Sequence, residues 1–316
     1  MAEHAQYYAT KAQANLAKLS GVVRKILIYL FLTIFALFML TPFVFMVVAS
    51  FVDADAFAEF TQYADFTKLG FQNWTIGNYA QILNSVYTDN LGNVKQGANF
   101  LQYYLNTLIV AVGSTSVTVI TAVLAAFAFA RLEFKGKNLL FTLLLATMMI
   151  PGEMMVITNY QTTIQLQWKF TFAALIFVHG VSVFYIYYLR QTFQQIPNEL
   201  YLAAKVDGVN DFEYLLKVMV PIAMPTIMTI VILSLMGSWN SFIWPTLVAN
   251  GNWKFNENYD MKLVSNGLMS LFATNANGYD AIKIAGSMVV TAPLFIFFII
   301  FRKYIMRGVS RSGIKG

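Results

Sequence analysis

Five side chains carry polar or aromatic chemistry inside long apolar runs: Glu153, His179, Trp239, Asn240 and Trp244. A carboxylate or an imidazole in an apolar span is costly unless it faces a cavity or a partner group. We therefore interpret these residues as candidates for lining the path of a polar solute. Alternatives stay open: Glu153 could be protonated and packed against a partner, His179 could bond a neighbouring helix, and the tryptophans could pack at a membrane interface.

The chain lacks the residue patterns of an enzyme. It contains no cysteine, which excludes disulfides and thiolate metal or redox chemistry. Its two histidines, His4 and His179, are far apart, and no pair of carboxylates lies in one apolar run. No G-x4-G-K-[ST] sequence is present to cradle the phosphates of ATP. The sequence therefore predicts no catalytic residue, no metal ion and no cofactor in this chain.

The composition is that of a membrane protein. Of the 316 residues, 58% are hydrophobic and only 11% are charged, whereas a soluble domain has about a quarter charged residues. We interpret the net charge of +6 as a bias of membrane-flanking loops rather than as a sign of nucleic-acid binding. The expected fold class is all-α, a polytopic membrane protein.

Six apolar segments are long enough to cross a hydrocarbon core about 30 Å thick. Fifteen of the 21 lysines and arginines lie on one side of these segments, and six lie on the other. The positive-inside rule then places both termini and the loop 190–221 in the cytosol. The predicted spans are Ile26–Val48, Tyr104–Ala130, Leu139–Tyr160, Phe172–Leu189, Met224–Val248 and Ile284–Tyr304.

The predicted organisation follows from these spans. One membrane domain, residues 26–304, lies between cytosolic segments 1–25 and 305–316. The two larger external loops are residues 51–103 and 249–283. The first 25 residues are polar and Ala-rich, and the apolar run behind them is long enough to span, so they do not resemble a cleavable signal.

A polar segment between the fourth and fifth spans has the composition of a helical hairpin. Residues 198–205 are good helix formers, and Glu199 near their start favours the helix dipole. Gly208 can adopt a positive φ and end the helix. The small side chains of Ala203 and Ala204 would let another protein approach the backbone closely. The alternative is an ordinary hairpin with a glycine cap.

This segment resembles the EAA loop of binding-protein-dependent ABC importer permeases, which reads E-A-A, three residues, G, nine residues, I-x-L-P. Ala203, Ala204, Gly208 and Pro221 fall at the family's spacing, while Leu202 stands where the family has Glu. The nine-residue stretch from Gly237 to Pro245 resembles the family's GSWNDFLWP, with Ser241 where Asp is usual. Further stretches resemble family motifs: Asn106–Ala111, Ala125–Phe134, Met149–Pro151, Tyr304–Gly308 and Gly313–Gly316.

The resemblance is to carbohydrate importers, on the side of the six-span subunit of the maltose system. It implies a second related permease, a cytosolic ATPase dimer that binds ATP and Mg, an external solute-binding protein and a sugar substrate in the cytoplasmic membrane of a prokaryote. Two residue sets follow from it. The ATPase-coupling set is Glu199, Leu202, Ala203, Ala204, Asp207, Gly208 and Pro221, and the C-terminal ATPase contact is Gly313, Lys315 and Gly316.

In such an importer, Trp239, Asn240 and Trp244 could contact the sugar directly. Aromatic faces stack on the C–H face of a sugar ring, and the amide of Asn240 can donate to and accept from hydroxyl groups. The competing reading is an ion-coupled secondary transporter, which would show several buried carboxylates or an inverted repeat. The sequence offers Glu153 and no clear repeat. We therefore favour the ATP-driven importer.

Overall fold

The structure, a computed structural model, describes the backbone of residues 2–83, 86–88, 94–96, 99–272 and 280–310. Side chains are described for residues 21–83, 99–269 and 280–302. The chain divides into two compact units. One unit comprises Met1–Asn78 with Asn277–Met288, and the other comprises Tyr79–Ala276 with Val289–Gly316.

The first unit is dominated by one long helix. It contains α1 (Ala2–Phe51), α2 (Ala54–Tyr63) and two 3-10 turns, Phe66–Leu69 and Phe71–Asn73. Apolar side chains along α1 are exposed from residue 22 to residue 44, and burial begins near Ala49. The buried amide of Asn78 fixes the end of α1, because its Nδ2 donates to the carbonyl oxygens of Ser50 at 3.0 Å and Val52 at 2.7 Å.

The second unit holds most of the helices, built around the 31-residue helix α4, which begins after the cap Asn99. In chain order from the boundary between the units, the helices and strands are α3 (Gly77–Leu83), β1 (Val86–Thr88), β2 (Val94–Gln96), α4 (Phe100–Ala130), α5 (Lys137–Thr147), α6 (Val156–Gln165), α7 (Phe172–Ile176), α8 (Val183–Gln194), α9 (Asn198–Val206), α10 (Asp211–Tyr214), α11 (Val220–Ile222), α12 (Met224–Trp239), α13 (Ile243–Val248), β3 (Asn252–Trp253), β4 (Asn256–Asp260), α14 (Val264–Phe272) and α15 (Asp280–Ser310).

Two antiparallel hairpins, β1–β2 and β3–β4, lie within the stretches predicted to be external loops. A 3-10 turn, Gly152–Met155, precedes α6, and a π-helical turn, Leu215–Met219, joins α10 to α11.

Helix α4 is the central support of this unit, because α8 and α12 both pack along it. Its small residue Ala126 and its neighbour Phe127 are buried in a cluster with Leu189 and Phe193 of α8 and Ile230 of α12. At 1.5 Å per residue, α4 is about 46 Å long. That length exceeds a hydrocarbon core of about 30 Å, so the end of α4 that carries Arg131 can extend beyond the core.

Three described helices are long and apolar enough to cross a membrane: Gly21–Phe51, Phe100–Ala130 and Asp280–Arg302. Two bent pairs of helices pass the same test if each is one span. The pair Lys137–Thr147 and Gly152–Gln165 bends by 87°, and the connection between the two helices ends at Pro151. The pair Asp211–Ile222 and Met224–Trp239 bends by 81°. The all-α, polytopic fold class is thereby confirmed, while the count of six stays a prediction.

The fourth predicted span differs from the structure. Instead of one helix over Phe172–Leu189, α7 ends at Ile176 and α8 begins only at Val183. A Cβ atom on Gly180 would lie 2.6 Å from Val117 Cγ1 of α4, and Thr121 Oγ1 donates to the carbonyl oxygen of Gly180 at 2.9 Å. The backbone between α7 and α8 is therefore irregular where it packs closely against α4. Ser182 then caps the start of α8.

Candidate functional site

The EAA-like segment forms the predicted hairpin of two short helices. Helix α9 begins after Pro197 and ends at Val206, and the chain reverses at Gly208, whose φ is +75°. The N–H of Val209 donates to the carbonyl oxygen of Ala204 at 2.9 Å, which closes the C-terminal turn. A left-handed conformation is disfavoured for residues with a Cβ atom. The predicted helix end at Gly208 is therefore confirmed.

Polar contacts close this hairpin on its solvent side. Lys205 Nζ lies 2.6 Å from Asp211 Oδ1, and the hydroxyl of Tyr201 donates to the same carboxylate at 2.7 Å. The hydrogen bond to Asp211 raises the pKa of Lys205 above its usual value. Because both partners of the ion pair are well exposed, solvent screens it strongly. We interpret it as a contact that selects the hairpin geometry rather than as a large source of stability.

Arg131 anchors the start of this hairpin to α4. Its Nη2 donates to the carbonyl oxygens of Phe193 at 2.9 Å and of Ile196, and its Nη1 donates to Asn198 Oδ1 at 3.3 Å. The three acceptors belong to the end of α8, the connection and the first residue of α9. A planar guanidinium has the fixed fork of donors that such an arrangement needs. In the sequence, Arg131 is one of the fifteen cations that contribute to the charge bias, and its position alone does not indicate this contact.

The outward face of α9 is apolar and exposed. Leu202 is 56% exposed and Val206 is 88% exposed, and Glu199 and Ala203 are exposed beside them. Ala204 instead packs against the buried cluster of α4, α8 and α12. Of the remaining predicted coupling residues, Asp207 is the exposed C-cap of α9, Gly208 forms the turn, and Pro221 is exposed in α11. The predicted C-terminal contacts Gly313, Lys315 and Gly316 lie outside the described residues.

A second feature is a cleft of about 280 Å³ bounded by α4, α8, α12, α13 and the break between α7 and α8. Hydroxyl groups dominate its polar lining: Ser114, Thr118, Ser182, Ser234, Ser238 and Ser241, with Tyr185. The positions 234 and 238 share one face of α12, and 114 and 118 share one face of α4. Ser241 lies in the connection between α12 and α13. None of these residues was predicted to line a solute path, although the spacing of four within each helix is visible in the sequence.

Hydrogen bonds between serines and threonines join the two sides of this cleft. The Oγ atoms of Ser114 and Ser238 lie 3.1 Å apart, and Thr115 Oγ1 donates to Ser234 Oγ at 3.1 Å. These contacts connect α4 to α12 at two successive turns. A hydroxyl group has one donor and two acceptor positions, so each of these groups retains hydrogen-bonding capacity beyond the contact that it makes here.

His179 and Trp244, two of the five residues predicted to line a solute path, meet in the cleft. Their rings lie edge to face with centroids 5.1 Å apart. The indole Nε1 of Trp244 donates to the carbonyl oxygen of Ala174 at 3.0 Å, and the side chain is only 6% exposed. The ring of Trp244 is therefore held in one orientation by α7.

The structure does not bring the other three predicted residues to this lining. Trp239 Nε1 donates to the carbonyl oxygen of Val290 at 3.3 Å, on the side of α12 that packs against α15. Asn240 caps α12 by donating to the carbonyl oxygen of Met236 at 2.9 Å. Glu153 is exposed in the 3-10 turn after the 87° bend. A role of these three residues in a solute path remains a prediction.

Comparison with known proteins identifies the family to which this chain is similar. A family profile described as "Binding-protein-dependent transport system inner membrane component" matches residues 118–312. An arabinooligosaccharides transport system permease protein of Halalkalibacterium halodurans is 31% identical over 214 residues, which are 68% of this chain and 74% of the relative. A trehalose/maltose transport system permease protein of Thermococcus litoralis is 26% identical over 299 residues, which are 93% of this chain and 98% of the relative.

The fold also has a solved counterpart. A chain from the crystal structure of a bacterial ABC transporter involved in the import of the acidic polysaccharide alginate matches with a TM-score of 0.71. The match covers 91% of this chain and 96% of the other, at 22% sequence identity. At this identity the likeness concerns the fold alone.

Proposed function

This chain belongs to the family of binding-protein-dependent transport system inner membrane components, and we propose that it passes a carbohydrate through the cytoplasmic membrane as one of two permeases in an ATP-driven importer. Its role is that of an ABC importer permease, which is transport rather than catalysis. The carbohydrate class is supported by relatives named for arabinooligosaccharides and for trehalose and maltose.

The hairpin that begins with α9 carries this proposal. Leu202 and Val206 are exposed apolar residues of α9. Arg131, at the end of α4, holds the segment that leads into this helix. A rigid helix with an apolar exposed face is suited to docking against another protein. We propose that a cytosolic ATPase dimer binds this face, and that ATP and Mg are bound there and not by this chain.

The same contacts support a route by which movement of the ATPase would reach the hydroxyl-lined cleft. When the ATPase pair closes on ATP, α9 would move with it, and Arg131 would transmit that movement to the end of α4. Because α8 and α12 pack along α4, the helices that bound the hydroxyl-lined cleft would shift together. Rocking of this chain against a second permease would then alternate access between an external solute-binding protein and the cytosol.

The proposed arrangement places both termini and residues 190–221 in the cytosol, as the charge distribution predicts. The C-terminal residues Gly313, Lys315 and Gly316 are proposed to reach the ATPase dimer as well. Residues 51–103 and 249–283 would face the solute-binding protein.

The absence of native cysteines allows a direct test of this arrangement. Single cysteines are introduced at Val206 and, as a control on the opposite side, at Asn252, which is exposed on β3. Each variant is co-expressed with an ATPase that carries one cysteine in its docking groove. Oxidative cross-linking at Val206 that changes with ATP, without cross-linking at Asn252, supports the proposal. An assembled, transporting complex in which Val206 never cross-links contradicts docking at α9.

A further inference from the structure

The hydroxyl-lined cleft differs in chemistry from a site for a charged solute. We propose that it is a subsite for one ring of a neutral saccharide and that it disfavours acidic sugars such as uronates. This inference rests on the proposed function, since it specifies the carbohydrate and its place in this chain. It concerns the cleft between α4, α8, α12 and α13, apart from the docking face of α9.

The concentration of hydroxyl groups is the first argument. Serines and threonines from α4 and α12 meet here within helices that are otherwise rich in apolar residues. Hydroxyl groups taken out of water need hydrogen-bond partners. Of the groups bonded between α4 and α12, Ser114, Ser234 and Ser238 line the cleft, and each can accept a further hydrogen bond. A polyhydroxylated ligand can occupy these remaining positions.

The break between α7 and α8 supplies the second argument. Residues 177–182 are not helical, and His179 and Ser182 of this stretch line the cleft. This stretch lies in the predicted fourth span, Phe172–Leu189. Irregular backbone within a span is tolerated where it is buried in protein or lines a cavity. Discontinuous helices at membrane depth also form the substrate sites of other transporter folds.

Preorganised rings are the third argument. The indole of Trp244 is fixed by its bond to Ala174 and by the edge of His179 before any ligand arrives. Tyr185 adds a second aromatic side chain at the lining. Because Trp244 is only 6% exposed, it forms a fixed wall of the cleft. The half-buried Tyr185 presents the aromatic surface that the C–H face of a sugar can contact.

Charge and size define the ligand class. Among the described residues that line the cleft there is no lysine, arginine, aspartate or glutamate, and His179 is its one titratable group besides Tyr185. A uronate carboxylate would enter without the cationic partner that a buried charge requires. The volume of about 280 Å³ lies just below the usual range of ligand sites, roughly 300 to 1,000 Å³. One ring therefore fits better than an oligomer.

The test compares two serines on the same helix. Ser114 lines the cleft, whereas Ser116 is exposed on another face of α4 and bonds within its own helix, to the carbonyl oxygen of Val112. Complexes with wild-type chain, the double variant Ser114→Ala with Ser238→Ala, and Ser116→Ala are purified without the solute-binding protein. Binding of radiolabelled maltotriose, arabinotriose and trigalacturonate is measured by equilibrium dialysis, and ATP-dependent uptake of each is measured in proteoliposomes with the binding protein.

The expected result is that the wild-type complex binds a neutral trisaccharide that it also imports, and that the double variant binds it about tenfold more weakly. This factor corresponds to the loss of one or two hydrogen bonds. Ser116→Ala should bind like wild type, and trigalacturonate should bind at least tenfold more weakly than the neutral ligand.

Three results would overturn the inference, and each contradicts a different part of it. If neutral sugar is imported but does not bind the membrane complex, or binds equally in the double variant, the subsite is wrong while the proposed function stands. If trigalacturonate binds as tightly and depends equally on Ser114, the preference for neutral sugars is wrong. If ATP hydrolysis by the complex responds to another class of solute and no saccharide is imported, the carbohydrate proposal itself fails.

Discussion

Arg131 Nη2 lies 2.9 Å from the carbonyl oxygen of Phe193 and donates to it. The two residues stand where α4 and α8 end, on the side from which α9 departs. The same carbonyl oxygen accepts from the N–H of Ile196 at 3.3 Å. The guanidinium therefore adds a charge-assisted donor to this helix end and fixes the exit direction of the chain. The position of α9 is thus tied to the longest helix of its unit.

Replacement of Arg131 by Lys should loosen α9 from α4. An ammonium group has no planar fork with which to reach Phe193, Ile196 and Asn198 together, and loss of a charge-assisted hydrogen bond costs about 1.5–3 kcal/mol. We expect a lower unfolding temperature and, in the assembled complex, more ATP hydrolysed for each sugar imported. Thermal unfolding and the ratio of hydrolysis to uptake in proteoliposomes measure the two effects.

The matched control is Lys135→Gln, which removes a positive charge from the exposed loop that follows Arg131. This variant should keep both the unfolding temperature and the ratio. If Arg131→Lys also keeps both, a positive charge at position 131 is sufficient, and the planar fork of Arg131 does not position α9.

Gly208→Ala should strain the turn that ends α9. The native φ is +75°, and a residue with a Cβ atom pays about 1–2 kcal/mol in this region. Because no atom of the described residues lies within 4 Å of the position of the new Cβ, the effect would come from the backbone rather than from a clash. Asn tolerates the left-handed region better, so Gly208→Asn should recover most of the loss.

A second glycine provides the comparison for this prediction. Gly136 has φ of +82° and equally open surroundings in the described structure, but it caps α5 and is not part of the hairpin that begins with α9. Gly136→Ala should reduce stability similarly without reducing the fraction of ATPase that co-purifies. If both variants lose ATPase equally, the turn at Gly208 has no specific part in docking.

Val206→Asp should weaken ATPase binding without unfolding the chain. The side chain is 88% exposed, and exposed substitutions usually change stability by less than about 0.5 kcal/mol. A carboxylate buried at an apolar contact would instead be costly. Co-purification of the ATPase should fall at least tenfold, whereas Ile76→Asp, at a 74% exposed site in the predicted external loop, should have no effect. Retention of the ATPase by both variants would exclude Val206 from the interface.

The parts of this structure that depend on glycine and proline could be predicted from the sequence. The end of α9 at Gly208 and the bend at Pro151-Gly152 follow from backbone preferences that are local to those residues. The long apolar helices were accessible as well, because their hydropathy does not depend on their neighbours.

The cleft could not be predicted from the sequence in the same way. Serine and threonine are common in helices of every environment, so their spacing gains meaning only when α4 and α12 are seen to face one another. Trp239 and Trp244 look equivalent in one motif, yet α12 ends at Trp239, and the two side chains point to different neighbours. Arg131 likewise looks like any positive loop residue until its acceptors are known.

The break between α7 and α8 depends on a tertiary contact, and Gly180→Ala tests it. The new Cβ would lie 2.6 Å from Val117 Cγ1 and 3.2 Å from the carbonyl oxygen of Phe177. Overpacking of this kind costs about 1–3 kcal/mol, and relief requires the segment with His179 to move away from α4. We therefore expect a lower unfolding temperature together with weaker binding of a neutral trisaccharide. Gly152→Ala, which meets no described atom within 4 Å, should leave sugar binding unchanged. Unchanged unfolding and binding in Gly180→Ala would mean that the close approach to Val117 does not shape the cleft.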